Sequence, residues 1–361
     1  MSPADLLASL IRIPSVNPDG DPGVPDPGEG KIAEFLADTL TAMGARVCLH
    51  EVLPGRPNVV SGFPSDRPGK PRLLLAPHTD TVSVVGMTID PFAAEIRGGR
   101  MYGRGASDTK GPMAAMLWAL REVGAGRLAS LGWEIWFAGL MGEEAGLHGS
   151  KALAATETFD FVIAGEPTDM RAVRAHKGSA WLTLEATGRS AHASTPEAGI
   201  NAIDAAIAAI ARVRAAFEAA PCHHAVLGSP TLSVGTIQGG SKVNVVPDHC
   251  QVGIDVRTVP GFDAAALARA AEAPNVRAVL AVSSPLDTDP GHPVLGILRG
   301  MGIEPTTAPW FCDAASFATV GTPAIALGPG SIAQAHTCDE FIEIAALEAG
   351  AAAFREFLLR L

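Results

Sequence analysis

The chain has 361 residues, of which 47% are hydrophobic and 18% are charged. This length allows two or three domains, and the composition excludes a disordered chain because enough apolar surface can be buried to offset the entropy of ordering. The 27 Lys and Arg residues against 38 Asp and Glu residues give a net charge of −11, which argues against nucleic acid as a partner.

The N-terminal segment and the cysteines indicate the compartment. Residues 1–15 have no basic cluster and no small-residue cleavage site, so we expect no signal peptide. The longest apolar helical stretch, 199–217, contains Asn201, Asp204 and two arginines, which exclude a membrane span there. Five cysteines with no C-x-x-C pair are typical of reduced thiols. We therefore expect a cytoplasmic protein without a membrane partner.

In chain order, helices are predicted at 4–13 and 29–43, on either side of a loop at 17–30 that is rich in Pro, Gly and Asp. Apolar runs then alternate with helical patterns. The strands are predicted at 72–76, 133–140 and 161–164, and the helices at 112–123 and 150–156. This alternation predicts an α/β fold with a mostly parallel sheet.

The pattern changes at about residue 176. Strands at 180–186, 231–237, 249–258 and 276–282 and helices at 199–217 and 262–273 follow in the order β-α-β-β-α-β. That order is typical of an α+β module. After residue 285, a strand at 324–327 and a helix that begins at about residue 343 resume the first pattern. The sequence thus predicts one domain formed by 1–175 and 286–361, with a second domain, 176–285, inserted in it.

His78 and Asp80 follow the predicted strand at 72–76. Because side chains alternate along an extended chain, both lie on the same side, where the carboxylate can accept one ring N–H while the other ring nitrogen binds a metal. A buried histidine that is hydrogen-bonded to an aspartate fits the same residues.

Asp108 lies in a glycine-rich loop, 103–111, immediately before the predicted helix at 112–123. The loop matches neither G-x-G-x-x-G nor G-K-[ST], and a carboxylate there would repel phosphate. Asp108 is therefore either a metal ligand or the N-cap of the helix.

Three further segments place acids or a histidine in loops. Glu143 and Glu144 follow the strand at 133–140, Glu166 follows the strand at 161–164, and His336 follows a Gly-Pro-Gly turn. Each segment alone fits ordinary loop polarity.

Taken together, these acids and imidazoles are enough ligands for two metal ions. Oxygen and imidazole ligands without thiolate suit zinc, cobalt or manganese. The sequence has no H-E-x-x-H, which excludes a zinc site of the zincin type on one helix. The candidate ligands are His78, Asp108, Glu144, Glu166 and His336, with Glu143 in addition.

Five segments in order along the chain resemble the M20 family of metallopeptidases and amidohydrolases. They are 77–82, 102–111, 142–146, 165–168 and 335–336. The resemblance implies an α/β catalytic domain with a di-metal site, and an inserted α+β domain that serves as a lid and for dimerisation.

The resemblance also implies two metal sites that share one carboxylate. His78, Asp108 and Glu166 would bind one ion, and Asp108, Glu144 and His336 would bind the other. Zinc is the expected metal at both sites, with cobalt or manganese as the alternatives. Two divalent ions are therefore the expected cofactors.

Two more side chains of the catalytic domain receive roles from the same resemblance. Glu143 would be the general base that takes a proton from water, and Asp80 would orient His78.

In the inserted domain, the segment 188–196 resembles a family segment whose histidine stabilises the tetrahedral oxyanion in the neighbouring subunit. His192 would have this role, so we expect a homodimer. A surface histidine near a proline-containing turn is the alternative. Asn244 and Arg257 would hold a substrate carboxylate, which an arginine can bind with two parallel hydrogen bonds. A structural contact between Arg257 and Asp255 and a solvated position on the strand are the alternatives for the arginine.

The segment 328–341 most resembles acetylornithine deacetylases and their close relatives, which implies removal of an acetyl group from a small N-acyl amino acid. The segment 311–315 departs from some deacetylases, which leaves acetylcitrulline, N-acetyllysine or a carrier-linked amino acid open as the substrate. Desuccinylation of succinyl-diaminopimelate and an M20 carboxypeptidase or dipeptidase activity are the alternatives. A non-catalytic amino-acid-binding relative is a different class, and the intact Glu143 argues against it.

Overall fold

The computed structural model describes residues 1–19 and 28–361, so most of the predicted loop at 17–30 lies outside the described residues. The α-helices are α1 Pro3–Ile11, α2 Gly30–Ala42, α3 Lys110–Val123, α4 Ala125–Ser130, α5 His148–Thr156, α6 Ala202–Ala219, α7 Ala264–Ala271, α8 Pro293–Arg299, α9 Ala314–Thr319 and α10 Ile344–Leu359. The strands are β1 Arg46–Leu53, β2 Arg56–Gly62, β3 Arg72–Pro77, β4 Glu95–Arg97, β5 Arg100–Tyr102, β6 Glu134–Gly139, β7 Phe161–Gly165, β8 Ala172–His176, β9 Gly178–Thr187, β10 Thr231–Gly239, β11 His249–Thr258, β12 Val276–Ser283, β13 Leu286–Asp287, β14 Pro305–Ala308, β15 Ala324–Ala326 and β16 Phe341–Glu343.

The largest sheet has the strand order β1-β2-β6-β3-β7-β15-β8-β13, and β14 also pairs with β8. Its four central strands, β6, β3, β7 and β15, are parallel to one another. Strands β3 and β7 are buried along almost their whole length, which is why their sequences are continuous apolar runs. The predicted α/β fold with a parallel sheet is confirmed, and the strands added at its two sides pair antiparallel.

Helix α3 lies at the centre of the main hydrophobic core. It packs against β3, α1 and α10, and nearly every residue of its first three turns is buried. A helix that is enclosed on all sides needs small and apolar residues around its whole circumference, and the sequence from Gly111 to Leu120 supplies them. The loop that bears Asp108 is therefore attached to the start of a firmly packed helix.

A second sheet has the order β10-β11-β9-β12, with every pair antiparallel. Helices α6 and α7 cover one face, so burial alternates along β9 and β11. The Asn201 side chain caps α6 and the Asp263 side chain caps α7. The predicted β-α-β-β-α-β order is confirmed in this module.

The chain separates into two compact units. One comprises Met1–Arg174, Thr288–Thr306 and Cys312–Leu361, and the other comprises Ala175–Asp287 and Thr307–Phe311. Among the described residues, the helices are all too short or too polar to cross a lipid bilayer.

A small three-stranded sheet was not predicted. Strand β5 pairs antiparallel with both β4 and β16. The β5–β16 pair joins two distant parts of the chain, one leading into the loop with Asp108 and the other following the loop with His336. It thereby brings two candidate ligand segments together.

Candidate metal centre

The candidate ligands of the parallel sheet lie beyond the carboxyl ends of its strands. His78 follows β3, Glu144 follows β6, and Glu166 follows β7. Because these three strands are parallel neighbours, their ends meet at one edge of the sheet, where sites in α/β folds form. Asp108 precedes α3, and His336 lies in the loop before β16.

His78, Asp108 and Glu166 form one group of possible ligands. All three are buried, and one ligand atom from each lies within 4.8 Å of the others. The His78 Nε2 atom is 3.0 Å from Asp108 Oδ1.

Asp108, Glu144 and His336 form a second group with the same spacing, within 4.8 Å. The His336 Nε2 atom is 3.0 Å from Glu144 Oε2 and 3.5 Å from Asp108 Oδ2. Asp108 thus belongs to both groups, and its two oxygens are next to different histidines.

Glu143 lies beside these groups. A carboxylate oxygen of Glu143 is within 4.8 Å of ligand atoms of His78 and Glu144. As a whole residue Glu143 is half-buried, as Glu144 is, whereas Asp108 and Glu166 are buried. Glu143 is therefore next to one member of each ligand group.

The Asp80 carboxylate lies closer to the turn after β6 than to His78. Its Oδ1 and Oδ2 accept the backbone N–H groups of Glu143 and Glu144, each at 3.0 Å. Its Oδ1 is 3.5 Å from His78 Nδ1, while the Asp80 backbone carbonyl is 2.9 Å from that ring nitrogen. The carboxylate of Asp80 therefore holds the Glu143–Glu144 backbone, and its carbonyl orients the imidazole.

The carboxylates of the site are close together in a buried environment. Burial raises the pKa values of Glu143 and Glu166 well above the usual range, and neighbouring acids raise them further. The buried Glu144 Oε1 has no hydrogen-bond partner among the described residues. Divalent cations would offset this repulsion and bind that oxygen, so the residues fit two such ions.

The sequence matches a known protein family over most of its length. A family model described as peptidase family M20/M25/M40 matches residues 74–360. The chain belongs to the M20/M25/M40 peptidase family. An acetylornithine deacetylase of Yersinia pseudotuberculosis is 32% identical to this M20 chain, over 95% of the chain and 93% of the relative.

Solved M20 structures share the fold. A metallo-carboxypeptidase from Sulfolobus solfataricus has a TM-score of 0.78 at 20% identity, over 99% of both chains. A dinuclear metal-binding peptidase of the M20 family from Bacillus subtilis has a TM-score of 0.67 at 14% identity, over 99% of this chain and 97% of its own. The resemblance inferred from the motifs is thereby confirmed, and this M20 chain is a metal-dependent hydrolase of amide bonds.

Sequence reasoning missed one buried acid near the centre of this M20 enzyme. Asp313, at the start of α9, is 1% exposed, and neither carboxylate oxygen has a hydrogen-bond partner among the described residues. Burial raises its pKa to about 7. The sequence signal was weak, because an aspartate before a helix is usually an N-cap.

In the other unit, His192 and Asn244 are brought together. Residues 192 and 245 form an antiparallel bridge, and the Ala193 N–H donates to the Asn244 carbonyl at 3.1 Å. The exposed His192 ring accepts the Ser194 backbone N–H at Nδ1, at 3.2 Å. The proton of the neutral ring is then on Nε2, which can donate to an oxyanion.

Arg257 makes the structural contact that the sequence left as an alternative. Its Nε and Nη2 atoms lie 3.0 and 3.1 Å from the two carboxylate oxygens of Asp255. The Trp181 indole N–H also donates to Asp255, at 3.1 Å. Part of the Arg257 guanidinium is therefore already engaged.

Proposed function

We propose that this enzyme removes an acyl group, in particular acetyl, from the nitrogen of a small amino acid. The observation that carries the proposal is the position of Asp108, whose two oxygens lie next to His78 and His336 in two separate ligand groups. The 32% identity to an acetylornithine deacetylase over most of both chains supports the choice of substrate class.

His78, Asp108 and Glu166 would hold one cation, and Asp108, Glu144 and His336 the other. We propose zinc at both positions, with cobalt or manganese as functional replacements. When bound, two such ions lower the pKa of a water molecule and polarise the amide carbonyl of the substrate.

Glu143 would move the proton. One of its carboxylate oxygens takes a proton from the attacking water and then donates it to the departing nitrogen, because an amide cannot expel its amine as an anion. Asp80 supports both steps, since its carboxylate fixes the backbone N–H groups of Glu143 and Glu144.

We also propose that the residues 176–285 serve as a lid and dimerisation domain of a cytoplasmic homodimer. His192 would donate from Nε2 to the oxyanion of the tetrahedral intermediate in the partner's site. Asn244 and Arg257 would bind the substrate carboxylate, Arg257 through the guanidinium N–H groups that Asp255 leaves free.

The test is a substrate panel with the purified enzyme. We expect release of acetate from one or more N-acetyl amino acids, with acetylornithine, acetylcitrulline and acetyllysine included. Faster cleavage of succinyl-diaminopimelate or of dipeptides would replace the deacetylase proposal with a desuccinylase or peptidase. If the protein binds amino acids and metal ions but cleaves none of these substrates, it is a non-catalytic relative.

Metal removal tests the mechanism separately. Dialysis against a chelator should abolish turnover, and zinc, cobalt or manganese should restore it, because no nucleophilic Ser or Cys is proposed at the site. Unchanged turnover in protein shown to be free of metal would contradict the mechanism.

A further inference from the structure

Glu340 is fully buried and binds the loop that carries Asp108. Its Oε1 accepts the backbone N–H groups of Ser107 and Asp108, at 2.7 and 2.8 Å. Its Oε2 accepts the Gly105 N–H at 2.8 Å and the Arg104 Nη1 group at 2.9 Å. Both carboxylate oxygens of Glu340 therefore accept hydrogen bonds, and the donors belong to four residues between positions 104 and 108.

The backbone on both sides reinforces this contact. The Gly103 N–H donates to the Glu340 carbonyl at 3.0 Å, and β5 and β16 pair immediately beyond. The loop can turn its N–H groups inward because Gly105 has a φ of +82°. A Cβ atom there would also lie 2.9 Å from Thr81 Cγ2, which a larger residue would have to displace.

Burying a carboxylate lowers the stability of the fold unless hydrogen bonds and an opposite charge compensate for the lost hydration. The 0% exposed Glu340 has both kinds of compensation, and every one of the bonds described above ends on the 103–108 loop. The carboxylate is thus placed to fix this loop in one conformation.

We infer that Glu340 is a positioning residue for Asp108. It bonds the Asp108 backbone N–H directly, and so fixes the orientation in which Oδ1 is next to His78 and Oδ2 is next to His336. His336 itself lies four residues before Glu340. One short segment thus supplies a ligand of the second group and orients the ligand that both groups share.

This inference rests on the proposed metal site. If Glu340 only stabilised the fold, its loss would lower the melting temperature without changing how tightly the folded protein binds metal. A positioning role predicts a loss of metal affinity in protein that is still folded, because groups that orient metal ligands contribute about tenfold to hundredfold in affinity.

The experiment measures Zn²⁺ affinity by competition with a chelator and the melting temperature of the same proteins. Glu340→Gln keeps the size of the side chain but replaces one acceptor oxygen with an NH₂ group that faces N–H donors. We expect about tenfold to hundredfold weaker binding of both ions, because Asp108 belongs to both groups. Unchanged affinity in folded Glu340→Gln would overturn the inference.

Glu340→Asp is the second variant. It keeps the charge beside Arg104 but is one methylene shorter, so it cannot reach the same donors. We expect it to fold and to bind Zn²⁺ more weakly than the wild type, and unchanged affinity would again overturn the inference.

Lys70→Met is the matched control. Lys70 is buried and donates to the Ala129 carbonyl at 2.7 Å, but it has no contact with the 103–108 loop. We expect this variant to lose stability and keep wild-type Zn²⁺ affinity, and an equal loss of affinity would assign the Glu340 effect to general destabilisation. A wild-type protein that binds no Zn²⁺ would instead overturn the proposed metal site, and the inference with it.

Discussion

Glu143 and Glu144 are adjacent in the sequence but have different neighbours. The Glu144 Oε2 atom is 3.0 Å from His336, whereas a Glu143 carboxylate oxygen lies beside His78 and Glu144. The Asp80 carboxylate accepts both backbone N–H groups, which fixes the direction in which each side chain leaves the chain. In the proposed mechanism, this turn presents Glu143 as the proton acceptor and Glu144 as a metal ligand.

Substitutions at these two acids should separate the two roles. Glu143→Gln is expected to keep both metal ions and lose about a hundredfold to ten-thousandfold in kcat, because the amide keeps the shape but accepts no proton. Glu144→Gln is expected to weaken metal binding. Metal content and kcat are measured on the same samples, and the reverse pattern would mean that the two roles are exchanged.

Asp313 provides a prediction about pH and stability. Its pKa is raised from 3.8 to about 7 by burial, so the folded state holds a proton that the unfolded state releases at lower pH. The full stability is present below about pH 4 and is lost as the pH rises through about 7. Ionised Asp313 thus destabilises the fold at alkaline pH.

Asp313→Asn should remove this dependence. In the presence of a chelator, we expect the variant to melt at a higher temperature than the wild type at pH 8, and the difference to be smaller at pH 5. The gain at pH 8 should be on the order of a few kcal/mol, since one pKa unit corresponds to about 1.4 kcal/mol. Melting curves at the two pH values check it, and a difference that does not change with pH would contradict the assignment.

Among the secondary structure elements, β2 and the start of α2 support the turn after β6. The Gly142 N–H donates to Glu29 Oε1 at 3.1 Å, and Arg56 binds both oxygens of Glu29 at 2.7 and 2.8 Å. Glu29 is fully buried and Arg56 nearly so. Together with Asp80, this ion pair holds three consecutive N–H groups of the turn that bears Glu143.

Arg56→Met should therefore affect both stability and turnover. It leaves the buried Glu29 without its counter-charge, which costs about 3–5 kcal/mol. We expect a lower melting temperature and a lower kcat with little change in KM, because the turn with Glu143 loses its support. The control Arg269→Met breaks an exposed pair with Asp263, where solvent screens the charges, so neither the melting temperature nor kcat should change much. A wild-type kcat in folded Arg56→Met would show that the pair is not needed to position Glu143.

The elements with strong periodicity could be predicted from the sequence. The strand predicted at 249–258 has those bounds in the structure, and the helix predicted at 112–123 begins two residues earlier, at Lys110. The hairpin of β1 and β2 was not predicted, because β1 is exposed along most of its length and has no apolar alternation. The strands of the small sheet have three residues each, too few for any period to be read.

The candidate ligands could be named from strand ends and family motifs, but their supporting residues could not. Glu340 and Gly105 are 235 residues apart in the sequence, and Glu29 and Gly142 are 113 apart. These contacts use backbone N–H groups, which every non-proline residue has, so no side-chain pattern in the loop marks them. They become visible only when the fold brings the segments together.

At the scale of the whole molecule, the proposed oxyanion donor lies outside the unit that carries the two ligand groups. His192 belongs to the inserted module, and its exposed ring holds its proton on Nε2 because Nδ1 accepts the Ser194 N–H. We propose that this Nε2–H stabilises the oxyanion in the partner's site of a homodimer. A two-fold interface would place the His192 of each chain at the site of the other, so each site would depend on both chains.

Mixing two inactive variants tests this dependence. His192→Ala chains keep Glu143, and Glu143→Ala chains keep His192, so a hybrid dimer has one site with both groups if His192 acts across the interface. Random exchange makes about half of the dimers hybrid, each with one good site of two, so recovery should approach about a quarter of wild-type activity. Subunit exchange is verified with differently tagged chains. Neither variant by itself should regain activity. If exchange is complete and activity stays absent, His192 acts within its own chain or has no part in catalysis.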